Sequence, residues 1–476
     1  MNIKILFVKK IALALGLIFF GFSVNAQLNS KIKVYFNHPV NNAVSSGTNA
    51  IYTAGFADTI AAYINRAKYT VDIAQYDFSA SSSSSAIAVI STAANAAAAR
   101  GVTVRWIYCG SETNTGLSLL SASVHTVASP TVGMNSSYIM HNKFMIIDRN
   151  VASTAVLCTY SMDWSDEMIT EDYNNMVFIQ DQTLAKAYTS QFVQMWGDTT
   201  STANVSAGKW STNKTASTTT SFTVNGTPIS VFFSPMDGAE TQLENVINSA
   251  NNDMYFGIYD FTLSSPAEDM STKYRHGVTG FGNMDQYSTT GSSIAPYDTL
   301  KATNVLGTAN LQIYTGSYIY HNKMICVDQG APTSDPQVGT GSYNWTSAAS
   351  NYSDENFMVI HDATVANLYY QSLCQDFHVL GGAACAASTT GISKYDFGSQ
   401  QLAVYPNPVV DVVNVTVKNV GTTLFVRVTD QLGKVVLENQ ANQTNEMRLN
   451  LSGLSSGVYF VTVTTGSDTY TQKLIK

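Results

Sequence analysis

The sequence predicts an α/β protein made of two similar α/β/α lobes, each with a mixed sheet, followed by a small β-sandwich. Three observations predict it. Segments of the chain recur about 180 residues apart. Within each copy, short apolar strands alternate with helical segments, a pattern typical of layered α/β folds. From about Tyr405 the chain changes to short β-branched runs separated by turn residues, which is typical of a sandwich.

The first 26 residues have the pattern of an export signal. A lysine-containing start precedes an apolar run at 11–22, and Val24-Asn25-Ala26 provides a small-x-small cleavage site. The apolar run is far shorter than the ~20 residues that a membrane-spanning helix needs. We therefore expect cleavage after Ala26 and an exported protein.

The composition excludes bulk disorder and argues against a basic nucleic-acid binder. Hydrophobic residues make up 45% of the 476 positions, whereas charged residues make up only 12%. Without the three lysines of the leader, 22 basic and 33 acidic side chains remain, a net charge of −11. Proteins that bind nucleic acid mainly through phosphate contacts usually carry a basic balance.

The repeat is clearest at a polar motif inside each copy. Residues 137–148 read SYIMHNKFMIID, and residues 317–328 read SYIYHNKMICVD. The triplets Tyr76-Asp77-Phe78 and Tyr259-Asp260-Phe261 also recur, at matched places upstream. These matches predict a duplicated domain of about 180 residues.

The repeat also predicts the order of elements and domains. The first copy should contain strands at 34–36, 69–76 and 101–108 and helices at 56–67 and 86–100; the second should contain strands at 231–233 and 254–259 and a helix at 243–250. The sandwich strands are predicted at 409–417, 424–429, 434–437, 447–451, 458–464 and 469–475. The predicted domains are a leader (1–26), lobe 1 (27–197), an exposed Ser/Thr-rich connection (198–226), lobe 2 (227–386), a linker (387–400) and the sandwich (401–476).

The repeated motif, His-x-Lys-x-x-x-x-Asp, carries residue types suited to phosphoryl chemistry. On a strand, residues i and i+2 share a face, so the histidine and lysine point the same way. Lysine offers a positive charge to phosphate oxygens, and histidine can act as nucleophile or acid near neutral pH. The candidate catalytic residues are His141, Lys143 and Asp148 in the first copy and His321, Lys323 and Asp328 in the second.

A second set of polar residues follows each motif. In copy two, Ser342 and Asn344 share a face and are candidate donors to phosphate oxygens, and Glu355 is a candidate to orient a histidine ring. The matching positions in copy one are Ser161, Asp163 and Asn174. Ordinary turn and strand-edge polarity is the alternative interpretation.

The alignment of the copies also suggests a division of labour between the two histidines. Glu355 belongs to the same copy as His321, and a neighbouring carboxylate favours imidazolium. On this argument His321 is the acid and His141 the nucleophile, although Asp172 in copy one could reverse the assignment.

With these motifs, residues 30–380 resemble the phospholipase D superfamily. The resemblance implies two lobes whose motifs meet in one site between them, and phosphodiester cleavage through a phosphohistidine without a metal or other cofactor. One histidine would attack phosphorus; the other would protonate the leaving oxygen and then activate water. The paired lysines, with Ser342 and Asn344, would hold the phosphate. Copy one departs from the family pattern at Asp163 and Asn174.

The last ~75 residues resemble a type IX secretion sorting domain. The matching pieces are Tyr405-Pro406-Asn407-Pro408, residues 451–459 and the terminal Lys473-Leu474-Ile475-Lys476. The resemblance implies passage across the periplasm and outer membrane with the type IX machinery as partner, followed by release or surface attachment. A carbohydrate-binding or adhesive sandwich is the alternative.

Three functions are compatible with these residues. We expect a secreted phospholipase D-like phosphodiesterase that hydrolyses phospholipid head-group esters, active as a monomer because one chain supplies both motifs. A secreted metal-independent nuclease with the same site is the alternative, and a catalytically weak surface-binding protein is a third. Cys374 and Cys385 are spaced so that they could form a disulfide.

Overall fold

The computed structural model describes residues 29–291, 294–385 and most of 402–476, apart from positions 406, 408, 410, 418–422, 432, 443, 466 and 467. The predicted leader (1–26) and linker (387–400) lie outside the described residues. Within this part of the chain, every helix is too short or too polar to traverse a lipid bilayer.

Lobe 1 is built on an eight-stranded mixed sheet. Strand β3 pairs in parallel with β5 on one side and antiparallel with β7 on the other. The sheet order is β2-β1-β10-β8-β7-β3-β5-β6. The strands are β1 (Ile32–Phe36), β2 (Ile51–Tyr52), β3 (Thr70–Gln75), β4 (Phe78–Ser79), β5 (Thr103–Tyr108), β6 (Val124–Ala128), β7 (Lys143–Ile147), β8 (Val156–Tyr160), β9 (Trp164–Ser165) and β10 (Asn175–Ile179), and the helices are α1 (Phe56–Arg66), α2 (Ala88–Ala99), α3 (Asp166–Thr170) and α4 (Gln182–Trp196).

Lobe 2 repeats this architecture, which confirms the predicted duplicated α/β fold. Its sheet order is β11-β12-β18-β17-β16-β13-β14-β15, so the motif strand β16 lies among its neighbours as β7 does in lobe 1. The strands are β11 (Ser221–Val224), β12 (Thr227–Ser234), β13 (Asp253–Ile258), β14 (Thr279–Asp285), β15 (Leu311–Tyr314), β16 (Lys323–Val327), β17 (Gln337–Gly341) and β18 (Glu355–His361), and the helices are α5 (Ala239–Ser249), α6 (Ser264–Arg275), α7 (Ile294–Leu300), α8 (Ser347–Asn351) and α9 (Ala363–Val379).

Equivalent helices of the two lobes start with equivalent caps. The side chain of Asp181 accepts a hydrogen bond from the Leu184 amide at the start of α4. Asp362 accepts hydrogen bonds from the amides of Thr364 and Val365 at the start of α9. These carboxylates satisfy amides that have no partner within the helix, and they therefore fix where each helix begins.

The two lobes share one hydrophobic core. Buried residues of α4 and α9 pack between the two sheets as a single cluster. Tyr188 of α4 makes an edge-on ring contact with Phe233 of lobe 2, with 4.9 Å between ring centroids, and Phe36 of lobe 1 makes one with Tyr369 of α9 at 5.4 Å. This shared core fixes the position of one motif strand relative to the other.

The segment between the lobes is largely exposed, as expected, but Trp210, Ser211, Lys214 and Val224 within it are buried. Lys214 is buried; its ammonium lies 2.5 Å from the Asp354 carboxylate and donates to the Ser234 carbonyl at 3.0 Å. Residues 221–224 form β11, the edge strand of the lobe 2 sheet. The Ser/Thr-rich composition concealed these features because a single buried ion pair leaves no periodic pattern.

The C-terminal region is a sandwich, as predicted. A three-stranded sheet, β19-β20-β23, accompanies a four-stranded sheet, β22-β21-β24-β25. Inward-facing side chains such as Val461 and Val463 alternate with more exposed ones along β24, as expected for a strand with one buried face. The strands are β19 (Leu402–Tyr405), β20 (Val412–Val417), β21 (Thr423–Asp430), β22 (Val435–Asn442), β23 (Glu446–Asn450), β24 (Val458–Thr465) and β25 (Asp468–Ile475).

The cysteines of the two lobes divide into one bonded pair and three thiols. Cys374 and Cys385 form the disulfide that their spacing allowed. Cys109, Cys158 and Cys326 are free and buried. Cys326 lies in the apolar strand β16, where it fills space as a small hydrophobic side chain.

Candidate active site

The two motifs meet where the lobes face each other. His141 and His321 each lie two residues before Lys143 and Lys323, which begin β7 and β16. The backbone crosses the interface at both places: the His141 amide donates to the Asp354 carbonyl at 3.0 Å, and the Tyr173 amide donates to the Ile319 carbonyl at 2.9 Å. Both histidines and both lysines are at most 4% exposed.

Glu355 orients the histidine of the other lobe. Its carboxylate accepts from His141 Nδ1, with distances of 2.8 and 2.9 Å to the two oxygens. The Ser342 hydroxyl donates to Glu355 Oε2 at 2.6 Å. The expectation that Glu355 pairs with His321 of its own copy is therefore wrong, and Ser342 binds this carboxylate rather than standing free for a phosphate oxygen.

The second histidine has different surroundings. His321 Nδ1 is buried and has no hydrogen-bond partner among the described residues. Its Nε2 lies 3.8 Å from Asp163 Oδ2. Asn174, which aligns with Glu355, is hydrogen-bonded to Ser161 and to the Met168 carbonyl within lobe 1. The two half-sites are thus chemically unlike despite the duplication.

The lysines are held by different contacts. Lys143 Nζ lies 2.7 Å from Asp163 Oδ1, an ion pair whose angles do not satisfy hydrogen-bond geometry. Lys323 Nζ donates to the His321 carbonyl at 2.8 Å. Asn344, the counterpart of Asp163, keeps a buried Oδ1 that has no partner within the described chain.

Burial and charge tune the site toward neutral histidines. Burial, followed by the Lys143 and Lys323 ammoniums, holds the pKa of His141 well below its usual range. The pKa of His321 is lowered for the same reasons. Burial and the neighbouring Lys143 lower the pKa of Lys323 to about 7, whereas burial raises the pKa of Glu355 well above its usual value. A neutral His141 ring that donates its Nδ1–H to Glu355 has an unprotonated Nε2.

Sequence reasoning missed two tyrosines that border the site. The Tyr76 ring meets the His141 ring edge-on at 4.9 Å, and its face lies 4.6 Å from Lys143 Nζ. Tyr259 repeats both contacts with His321 and Lys323, each at 5.1 Å. The available signal was the repeated Tyr-Asp-Phe triplet, which marked the duplication but no role.

Amides of the motif join the lobes beneath the site. The side chain of Asn175 donates to Asn322 of the second motif at 2.8 Å. Across the pseudo-two-fold axis, Asn356 donates to Asn142 of the first motif at 3.4 Å and accepts from Thr159 at 2.6 Å. These buried, reciprocal hydrogen bonds fix the spacing of the two histidine segments.

The aspartates of the motif lie away from the histidines, which corrects the expectation that they belong to the catalytic set. Asp148 follows β7, five positions or about 17 Å along the strand from Lys143. Its carboxylate accepts from the amides of residues 68–70, and Asp328 binds the amides of residues 251–253 in the same way. Both have positive φ angles, 49° and 55°, so they shape the turn after each strand.

An open cleft lies beside His321. It has a volume of about 490 Å³, and its lining includes Tyr259, Tyr287, Tyr318 and Asp285. The Tyr287 ring stacks on Tyr259 and is 55% exposed. Among the described lining residues there is no lysine or arginine.

The protein has two pseudo-symmetric lobes, and each lobe contributes one histidine and one lysine to a single buried site. It therefore belongs to a class of proteins in which a duplicated motif forms one shared site. A family model described as "Cardiolipin synthase, PLD-like domain" matches residues 60–196 and 243–377. The chain belongs to this phospholipase D-like family, whose members include phosphodiesterase-type enzymes.

A second family model covers the sandwich. It is described as "Secretion system C-terminal sorting domain" and matches residues 403–476. The match confirms the predicted sorting domain and indicates interaction with the type IX machinery, export, and a location at the cell surface or outside the cell. A comparison with curated proteins finds no match.

Solved structures with related folds were also found. A phosphatidylserine synthase from Haemophilus influenzae has 13% identity and a TM-score of 0.48, covering 73% of this chain and 86% of its own. A polyphosphate kinase from Porphyromonas gingivalis has 13% identity and a TM-score of 0.43, covering 67% and 49%. A phospholipase D family member, Nuc, from Salmonella typhimurium has 26% identity and a TM-score of 0.26, covering 30% and 88%.

Proposed function

We propose that the protein is a secreted phospholipase D-like enzyme that hydrolyses phospholipid head-group phosphodiesters through a phosphohistidine on His141. One observation carries the proposal: Glu355 of one lobe binds Nδ1 of His141 in the other. This contact leaves Nε2 as the free, unprotonated nitrogen of a buried ring beside two lysines, which is the state a nucleophile requires.

The proposed reaction has two steps. His141 Nε2 bonds to phosphorus while the bond to the leaving oxygen breaks, and His321 Nε2 gives that oxygen a proton. His321 then takes a proton from water, and the water oxygen displaces His141 to give a phosphomonoester. Because both rings are tuned toward neutrality in the free protein, the bound phosphodiester anion together with Asp163, 3.8 Å from His321 Nε2, supplies the negative charge that favours a proton at that nitrogen for this step. Lys143 and Lys323 stabilise the charge on the phosphate oxygens.

A lipid substrate is supported by charge. The chain is acidic overall, and the cleft beside His321 includes Asp285 but no lysine or arginine among the described lining residues. A polynucleotide would place further phosphates along such a cleft, where no cation neutralises them. A choline head group carries no further phosphate, and the leaving group of cardiolipin carries only one.

We expect purified protein to hydrolyse phosphatidylcholine or cardiolipin and to keep its activity, within about twofold, in EDTA, because lysines rather than a divalent ion supply the positive charge. Product release from lipid vesicles and from single- and double-stranded DNA, measured in parallel, provides the test. DNA cleavage without lipid hydrolysis would identify a nuclease, and no turnover of either would leave a surface-binding protein. Activity lost in EDTA and restored by a divalent ion would contradict the metal-independent mechanism.

We expect truncation before Tyr405 to leave hydrolysis intact and to retain the protein in the periplasm. The lobes have their own hydrophobic cores, separate from that of the sandwich, so catalysis does not need the sorting domain, whereas export does. Fractionation of cells that produce full-length and truncated chains, with lipase activity measured in each fraction, provides the test. Normal secretion of the truncated chain would contradict the role of the sorting domain.

A further inference from the structure

We propose that Asp163 is a resident counter-anion of the phosphate site and makes that site select monoanionic phosphodiesters over dianionic phosphate groups. The inference rests on the proposed function, because it concerns the place where a phosphoryl group would bind. It adds a specificity role for a side chain that is peculiar to lobe 1.

The geometry places this carboxylate inside the reactive centre. Asp163 is 3% exposed, and its two oxygens approach two different groups: Oδ1 lies 2.7 Å from Lys143 Nζ, and Oδ2 lies 3.8 Å from His321 Nε2. A phosphoryl group held by that lysine and that histidine must lie close to the same carboxylate. Its oxygens then meet a fixed negative charge in a site with little water to screen it.

The lysines need an anion before substrate arrives. Two buried ammoniums repel one another, and Lys143 contributes to lowering the pKa of Lys323 to about 7. Asp163 acts in the opposite direction on Lys323. The carboxylate therefore offsets part of this repulsion in the free protein, and a bound phosphate supplies the same negative charge to the lysines.

The same charge discriminates between ligands. A phosphodiester carries one negative charge, whereas a phosphomonoester carries between one and two near neutral pH. Each additional charge increases the repulsion from Asp163 by a further Coulomb contribution. Hydrolysis converts the first kind of anion into the second, so the carboxylate favours entry of substrate and release of product.

The pseudo-two-fold axis offers a matched comparison. Asn344 occupies the equivalent position in lobe 2 and presents a neutral amide. Replacing Asp163 by asparagine makes the two half-sites alike at this position, whereas replacing Asn344 by aspartate adds a second carboxylate.

Isothermal calorimetry on the full chain at pH 7.5, with inorganic phosphate and with monoanionic dimethyl phosphate, tests the proposal. Asp163→Asn should tighten phosphate binding about tenfold and dimethyl phosphate binding by about threefold or less. The reason is that the dianion has two negative charges that the Asp163 carboxylate repels, whereas dimethyl phosphate has one. Asn344→Asp should weaken phosphate binding relative to the wild type. Melting temperatures show whether each variant folds, and Asp163→Ser replaces Asp163→Asn if the amide variant does not.

An equal change for both anions would overturn the inference, because it would mean that Asp163 only positions Lys143. Unchanged phosphate binding would overturn it as well. The calorimetry needs no turnover, so the discrimination can be present even if the wild-type protein hydrolyses no diester in the lipid and DNA panel. That second result would contradict the proposed function and leave the assignment of Asp163 in place.

Discussion

His141→Asn should remove turnover by on the order of 10⁴-fold and abolish any phosphorylated enzyme, because it removes the buried ring that Glu355 holds through Nδ1 beside the two motif lysines. His321→Asn should also be nearly inactive on natural esters, whose leaving oxygen needs a proton. With a p-nitrophenyl diester the leaving group needs none. The His321→Asn protein should then accumulate an acid-labile phosphate on His141, measured by rapid quench and mass spectrometry of the peptide that contains it.

The two variants control for one another, since each removes one buried imidazole from an equivalent position in the repeat. Wild-type protein, which hydrolyses its intermediate, should show only a low steady-state level of phosphoenzyme. Phosphate trapped on His321 in the His141→Asn protein would reverse the assignment. No phosphoenzyme in either variant would point to direct attack by water.

The fold was predictable because its evidence is local and repeated. The recurring His-Asn-Lys strands, the landmarks at 76–78 and 259–261 and the alternation of strand and helix each depend on a short stretch of chain. Their agreement defined two α/β lobes and a sandwich. The buried Lys214–Asp354 pair was not predictable. It joins two single residues 140 positions apart, and neither belongs to a repeated or periodic pattern.

The types of residue in the site were predictable from the sequence, but which residue contacts which was not. Glu355 was a sound candidate to orient a histidine, yet alignment placed it with His321, whereas the pseudo-two-fold arrangement carries it across the interface to His141. Similarly, Asp148 shares the motif with Lys143 but follows the opposite end of the strand, where it binds backbone amides. The sequence shows which residues recur. Whether a side chain contacts its own lobe or the other lobe depends on how the two lobes pack against each other.

The second large effect on turnover is expected from replacing Glu355, the carboxylate that contacts His141 across the lobe interface. In the resting site burial raises the pKa of Glu355, so its negative charge is costly there. When Nε2 bonds to phosphorus, the His141 ring becomes cationic, and a carboxylate on Nδ1 stabilises that cation. Glu355→Gln keeps the shape and an acceptor oxygen but cannot supply the negative charge that stabilises the phosphorylated, cationic ring. We expect kcat to fall on the order of 10³-fold, with KM changed by less than about threefold.

A second buried carboxyl group provides the control for Glu355→Gln. Asp376 accepts from the Tyr320 hydroxyl at 2.9 Å, and burial raises its pKa to about 8, so Asp376→Asn removes no charge at pH 7. It should keep kcat within about threefold, since an amide oxygen still accepts that hydrogen bond. Steady-state kinetics and melting temperatures of both variants separate lost charge from disturbed packing. Equal losses in the two variants, or a Glu355→Gln enzyme within tenfold of wild type, would show that the charge of Glu355 does not stabilise the intermediate.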